Sequence, residues 1–300
     1  MVDVLVIPDG AGEPALRAAR MPVLAALARE GSVLRVATTP EGCPAGSETG
    51  IPALLGAPPE RRVSRGLVDA AAHGIEVPPG MSAWRADLVY GNGRRASVRQ
   101  ARDVCAHLRP GAHAIGGHRL LLVAATRPGD RRLLGLRARV WPDGERLRGP
   151  LPEETTLVCA RGAAAGCGRL LGARVVIPDG ATGDVDTDLR AKAHAAIAAI
   201  AGCAARVVVH VGGPDEAAHR RDLAAAAGAL ERMDAELLAP LREVVAVHGG
   251  RLVVCPDHGT DPATGAHDAR PVPAIVWGDG AEGLSGVVAP DALFAGAVAA

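Results

Sequence analysis

The sequence predicts an α/β fold: a mostly parallel sheet flanked by helices, with a smaller α+β insertion subdomain. Three observations carry this. Apolar runs without period-2 alternation, at Val2–Ile7, Arg206–Val211 and Arg251–Cys255, read as strands buried on both faces. Helical stretches lie between the strands, giving a βαβα rhythm. From about Gly74 to Gly172 the texture changes, becoming Arg-rich and Gly-rich with short strand-like pieces.

The elements follow in order. Val2–Ile7 ends at Pro8-Asp9-Gly10, a strand running into a tight turn. Met21–Arg29 has helical spacing, with Leu24, Leu27 and Ala28 on one face and Pro22 near its start. Val33–Ala37 is a second strand, and a Gly/Pro-containing loop, Thr39–Gly46, leads to a helix over Ser47–Leu55. In the middle segment, Arg119–Ala125 and Leu136–Trp141 read as strands of a hairpin or meander. The α/β rhythm returns with a strand at Arg174–Pro178, an Ala-rich helix at Leu189–Ile200 and a strand at Arg206–Val211. A helix over Glu216–Leu238, strands at Arg251–Cys255 and Val272–Trp277, and an Ala-rich closing helix complete the chain. Residues 1–75 and 173–300 are thus expected to form the core, and 76–172 the insertion.

Composition narrows the function classes. With 48% hydrophobic residues in 300, the chain can bury a substantial core. Thirty-three basic and 33 acidic side chains cancel, which argues against coating nucleic acid or an anionic membrane. Aromatics are 2%, too few for a base-stacking platform. No apolar run is long enough to span a bilayer, and the N-terminus lacks signal-peptide character. The six cysteines, at 43, 105, 159, 167, 203 and 255, form no CxxC pair. The expected setting is the reducing cytoplasm. Lys192 is the single lysine in an Arg-rich chain.

Three strands end in residues able to bind a metal. The first ends at Asp9, the Arg206 strand at His210 with Asp215 and His219 beyond, and the Arg251 strand at Asp257-His258. Ligands of open parallel sheets bind outside the carboxyl ends of the strands. Asp215 and His219, at i and i+4, share a helix face and can grip one ion together. His267 can fold back from the loop that follows. The set Asp9, Asp215, His219, Asp257, His258 and His267 offers only N and O donors, which suits Zn or Mn. Two close ions are the usual arrangement for in-line phosphoryl displacement. His73, His107, His113, His118, His194 and His248 are assigned ordinary surface or core roles.

Ser47, between a loop and a helix, can be a plain N-cap or a hydroxyl held at the positive end of the helix. Two other motifs compete. Gly10-Ala11-Gly12-Glu13-Pro14-Ala15 fits a loose dinucleotide fingerprint, but Asp9 would repel the pyrophosphate. Asp184-x-Asp186-x-Asp188 opens like a calcium loop, but Leu189 stands where that loop needs glycine. These acids are expected to cap the Leu189 helix.

The chain resembles the archaeal-type cofactor-independent (2,3-bisphosphoglycerate-independent) phosphoglycerate mutases of the alkaline phosphatase superfamily. The matching pieces in the first half are Asp9-Gly10, Met21 to Ala28, Gly46-Ser47 and Arg65-Gly66-Leu67-Val68-Asp69-Ala70. Those in the second half are Gly180 to Gly183 with Asp186-Thr187-Asp188, the stretch HVGGPDEAAH from His210 to His219, Glu231-Arg232-Met233-Asp234, Asp257-His258-Gly259-Thr260, and His267 with Pro271-Val272-Pro273. They occur in the family's order and span most of the chain except the middle.

This resemblance implies an alkaline-phosphatase-like core holding two divalent ions, Mn or Zn. It implies Asp9, Ser47, Asp257 and His258 as ligands of one ion, with Ser47 the nucleophile that becomes phosphorylated. Asp215, His219 and His267 would hold the second. Arg65, Arg85 and Lys192 become candidates for holding the phosphate or carboxylate of a small phosphorylated metabolite. The implied reaction interconverts 2- and 3-phosphoglycerate. The sequence departs from the family at Ala45-Gly46-Ser47-Glu48, where Pro-Gly-Ser-Asp is usual, and around Met81 to Arg85, and its insertion is short. These departures leave open a phosphatase, a phosphonate hydrolase or a related mutase acting on another small metabolite. A non-catalytic metal-binding relative is disfavoured by retention of the whole ligand set.

Overall fold

A computed structural model describes residues 2–108, 110–149, 151 and 154–294. The first part of the chain contains β1 (Val2–Pro8), α1 (Glu13–Ala18), α2 (Pro22–Glu30), β2 (Ser32–Val36), α3 (Ser47–Leu54) and α4 (Arg65–His73). The middle contains β3 (Ser82–Val89), α5 (Val98–His107), β4 (Ala112–Ala114), β5 (Arg119–Ala124), β6 (Arg131–Leu133) and β7 (Leu136–Val140). Next come β8 (Thr155–Val158), α6 (Ala163–Leu170), β9 (Arg174–Val176), α7 (Leu189–Ala201), β10 (Arg206–Val211), α8 (Gly213–His219) and α9 (Leu223–Met233). The last part holds a π turn (Asp234–Leu238), α10 (Ala239–His248), β11 (Gly250–Val254), β12 (Gly259–Asp261), β13 (Ala266–Asp268), β14 (Val272–Gly278) and β15 (Val287–Val288).

Eight strands form the main sheet in the order β15-β2-β14-β11-β1-β10-β8-β9. Five of its seven pairings are parallel; β14 runs antiparallel to both β11 and β2. β1 lies near the centre and shows why its sequence is apolar throughout. Val2, Val4 and Val6 face a cluster with residues of α7, α9 and α10, while Leu5 and Ile7 face one with residues of α3, α4 and α6. Both faces are buried, so alternation is lost. The α/β architecture expected from the sequence is present.

The second sheet is antiparallel, in the order β4-β5-β3-β7-β6, and lies wholly within residues 82–140. Arg119–Ala124 and Leu136–Val140 do not pair with each other, because β3 lies between them. β8 and α6 fall inside the stretch 76–172 expected to form the insertion. β8 nevertheless pairs parallel with β10 in the main sheet, and α6 packs with its apolar residues against that sheet. Helix over 216–238 is also corrected: α8 stops at His219, Arg221 takes a left-handed φ of 60°, and Asp222 caps α9. At the C-terminus, Pro290–Leu293 forms a 3₁₀ turn, and residues 295–300 of the expected closing helix lie outside the described residues.

Two sequence motifs prove to be structural partners. Buried Asp234 accepts hydrogen bonds from Val23 N (3.0 Å) and Leu24 N (2.7 Å), capping α2 from across the chain. Glu231 accepts one from Arg20 N at 2.8 Å. Asp188 caps α7, as expected, by accepting from Ala191 N. Among the described residues, no helix is long and apolar enough to cross a membrane.

Candidate metal centre

Adjacent parallel strands place their C-terminal ends side by side. Ile7 of β1 is in register with His210 of β10, and Val6 with Val254 of β11. Asp9, His210 and Asp257-His258 therefore emerge at one edge of the sheet. α3 adds Ser47, α8 adds Asp215 and His219, and the β12–β13 hairpin adds His267.

Two glycines permit this convergence. Gly10 has φ of +62°, and a Cβ there would collide with the Asp215 carboxylate and the Thr260 hydroxyl. Its N–H donates to Asp257 Oδ1 at 3.2 Å. Gly50 lets α3 lie against the strand end, because a Cβ would strike the Asp257 carbonyl.

The donors form two adjoining groups. In the first, Ser47 Oγ donates to Asp9 at 3.2 and 3.3 Å and lies 3.5 Å from His258 Nε2. His258 Nε2 is 3.3 Å from Asp9 Oδ1 and 3.6 Å from Asp257 Oδ2. In the second, His219 Nε2 is 3.2 Å from Asp215 Oδ2, and His267 Nε2 is 3.7 Å from Asp215 Oδ1. The His258 and His267 rings are 4.2 Å apart, joining the groups. Thr260 Oγ1 donates to Asp215 Oδ1 at 2.5 Å and orients it.

The histidine orientations fit metal ligation. Nδ1 of His219, His258 and His267 faces a backbone carbonyl, of Gly265 (2.9 Å), Gly259 (3.3 Å) and Ala45 (3.0 Å) respectively. In a ring that ligates a metal, such a carbonyl would hold the proton on Nδ1 and leave the inward-facing Nε2 to bind, the arrangement that supports metal-ligating imidazoles. His219 Nε2 and His267 Nε2 then face each other at 3.0 Å, two lone pairs that need a cation or a proton between them. Buried Asp257 Oδ2 has no hydrogen-bond partner among the described residues. Asp215, His219 and His267 can present donor atoms all within 4.8 Å of one another, as can Asp9, Asp215 and His258.

Electrostatics agree. Burial, reinforced by Asp9, pushes the Asp257 carboxyl up to about 7. Burial also opposes ionisation of Asp9, yet contacts with His210 and His258 hold it well below the usual carboxylate range. Burial opposes the His258 charge, but Asp257, Asp9 and Asp215 outweigh it and raise that ring to about 10. The contact with Asp215 raises His219, while burial and the neighbouring His258 lower His267. The cluster crowds carboxylates around imidazoles, and a divalent cation relieves that crowding.

The candidate anion-binding residues lie differently. Lys192 is fully buried, and its Nζ donates to the His210 carbonyl at 2.7 Å. Burial brings it down to about 8. It supports the strand end from behind and presents no surface to a ligand. Arg65 pairs with Glu48 (2.9 Å) and Asp69 (3.3 Å). Arg85 pairs with Asp69 and Asp87, both at 2.9 Å. Trp141 lies under both guanidiniums and donates to Asp87 at 2.8 Å. This network ties the neighbour of Ser47 to the second sheet, and its arginines are already matched with acids.

One residue was named in the sequence as metal-capable but left out of the ligand set, and another was not singled out. His210 belongs to the cluster, with Nε2 3.1 Å from Asp9 Oδ2. Its place at a strand end had marked it as metal-capable, and the strand register now sets it beside Asp9. Arg119 stands opposite Asp87 in the β3–β5 register, beside Arg85. It is half-buried and in no ion pair among the described residues; burial and its neighbours Arg85 and Arg65 lower its pKa. Only strand register reveals it.

The fold and this donor cluster define a metal-dependent enzyme of the α/β class. The chain belongs to the Metalloenzyme superfamily, whose model matches residues 1–292. It is 27% identical to 2,3-bisphosphoglycerate-independent phosphoglycerate mutase 2 of Methanothermobacter thermautotrophicus, covering 90% of this chain and 85% of that protein. It is 26% identical to the probable 2,3-bisphosphoglycerate-independent phosphoglycerate mutase of Geobacter sulfurreducens, covering 93% and 89%. Among solved structures, a protein from Pyrococcus horikoshii matches with a TM-score of 0.76 at 20% identity, over 97% of this chain and 94% of that one. The cofactor-independent phosphoglycerate mutase from Thermoplasma acidophilum matches with a TM-score of 0.52 at 19% identity, over 93% and 90%. The resemblance read from the sequence is borne out.

Proposed function

We propose that this enzyme is a two-metal phosphotransferase that interconverts 2- and 3-phosphoglycerate through phosphorylated Ser47. The observation that carries the reading is the position of Ser47 Oγ. It opens α3 and lies 3.2 to 3.5 Å from Asp9 and His258, against a cluster of inward-facing imidazole nitrogens. Asp9, Ser47, Asp257 and His258 hold one ion, and Asp215, His219 and His267 the other. Zn or Mn suits these N and O donors. Bound ions supply charge neutralisation for the attacking and leaving oxygens of an in-line displacement.

The chain's own groups do the rest. Asp9, kept ionised, accepts the Ser47 hydroxyl and aims Oγ. Oγ attacks phosphorus, the phosphate ester bond of the substrate breaks, glycerate keeps the leaving oxygen, and the proton given up by the Ser47 hydroxyl is balanced by the one that this oxygen takes up. The start of α3 favours the added phosphate charge. Glycerate reorients, and its other hydroxyl takes the phosphoryl group back from Ser47. Arg119 supplies the unmatched positive charge for a substrate anion, while Arg65, Arg85 and Trp141 build the wall that keeps water from phosphoserine.

A second reading is hydrolysis of a different small phosphate or phosphonate ester. It is favoured by the neutralisation of Arg65 and Arg85 by their own carboxylates, which leaves few free cations for a substrate bearing both phosphate and carboxylate. Metal-loaded protein incubated with 3-phosphoglycerate separates the two. 2-Phosphoglycerate without free phosphate supports the mutase. Free phosphate alone makes the protein a hydrolase, and no turnover contradicts phosphoglycerate as substrate.

A further inference from the structure

We infer that His210, through Nε2, is a fifth protein donor to the ion held by Asp9, Ser47, Asp257 and His258. The inference rests on the two-metal reading above and adds a ligand to it.

His210 is buried at the end of β10. Its Nε2 lies 3.1 Å from Asp9 Oδ2 but makes no hydrogen bond with it, and no other partner meets it among the described residues. Asp257 Oδ2, fully buried, is also unmatched. A buried polar atom without a partner is rare in folded proteins, and two in one cluster call for a shared explanation. Asp9, His210 and Asp257 can present donor atoms all within 4.8 Å of one another. A single cation among them satisfies both orphaned atoms at once.

The backbone holds the ring in place. The His210 carbonyl accepts from buried Lys192, and Asp9 N donates to the Val211 carbonyl at 3.0 Å. The two carboxyl oxygens of Asp9 also divide their contacts: Oδ1 faces His258 and Oδ2 faces His210. Imidazole on both sides of Asp9 gives the ion more nitrogen donors, which favours Zn or Co over Mg.

Cobalt is the probe. Full-length protein loaded with Co(II) is examined by proton NMR for hyperfine-shifted, exchangeable imidazole N–H signals. If His210 ligates alongside His219, His258 and His267, four such signals appear, and His210→Ala removes one. The same variant weakens cobalt binding at one of two sites by at least about tenfold in a calorimetric titration, leaving the other unchanged. Three signals with two ions bound overturn the inference and leave the two-metal reading standing. Fewer than two ions bound overturn both. The wild-type signal count decides the question even if the variant fails to fold.

Discussion

His219 Nε2 and His267 Nε2 face each other at 3.0 Å, each ring held from behind by a backbone carbonyl, of Gly265 and Ala45. Two imidazoles fixed in this way repel unless something positive sits between them. Asp215 lies within 3.7 Å of both, and these are the three residues proposed above to hold the second ion.

His267→Ala is therefore expected to reduce bound metal from two ions to one per chain, measured by elemental analysis after gel filtration. The variant keeps its fold, because His267 lies on a short hairpin outside the main sheet. Two ions retained would place His267 outside the centre.

Metal uptake should depend steeply on pH. In the metal-free cluster, Asp257 titrates at about 7 and His258 at about 10. Both must be deprotonated to ligate. Below pH 7 binding expels a proton from each, and from His219, which Asp215 raises, so affinity falls at least about a hundredfold per pH unit; towards pH 10 His258 still gives one up, and the slope is at least about tenfold. Affinity thus rises with pH throughout this window. Calorimetric titrations in buffers of different ionisation enthalpy count these protons, and a pH-independent affinity would contradict the assignment.

Much of this centre was legible in the sequence, and the reason is geometric. Parallel strands end on the same side of a sheet, so the strand-end positions of Asp9 and Asp257-His258 pointed to one edge, and the pairing of β1 with β11 brings them together. The i, i+4 spacing of Asp215 and His219 fixed their shared face. The orientation of Lys192 was not legible, because rarity says nothing of direction: its Nζ donates to the buried His210 carbonyl. The ion pairs of Arg65 and Arg85 were not legible, because Glu48, Asp69 and Asp87 lie on three different elements. The placement of β8 in the main sheet was hidden because a four-residue strand carries little pattern.

Asp69 holds Arg65 and Arg85 together where α4 meets β3, and it is buried. Asp69→Ala leaves the buried Arg85 facing Asp87 alone and should destabilise the protein by about 3 kcal/mol. Chemical denaturation measures this loss. A change below about 0.5 kcal/mol would show that the network adds little to the junction.

Arg119 is the half-buried guanidinium on the second sheet that no carboxylate matches among the described residues. Arg119→Ala should raise KM for the phosphorylated substrate by about tenfold or more while leaving thermal stability unchanged or slightly improved, since burial and two like charges disfavour it. An unchanged KM would remove Arg119 from substrate binding.

The central claim is that Ser47 carries the phosphoryl group. Metal-loaded enzyme is mixed with 3-phosphoglycerate, quenched in acid within the first turnovers, digested and analysed by mass spectrometry. The account predicts phosphate on the peptide containing Ser47, and none in Ser47→Ala, which binds metal through its remaining ligands but turns over at least about 10³-fold more slowly. Product formed at an undiminished rate by Ser47→Ala, with no phosphorylated peptide in the wild type, would contradict it.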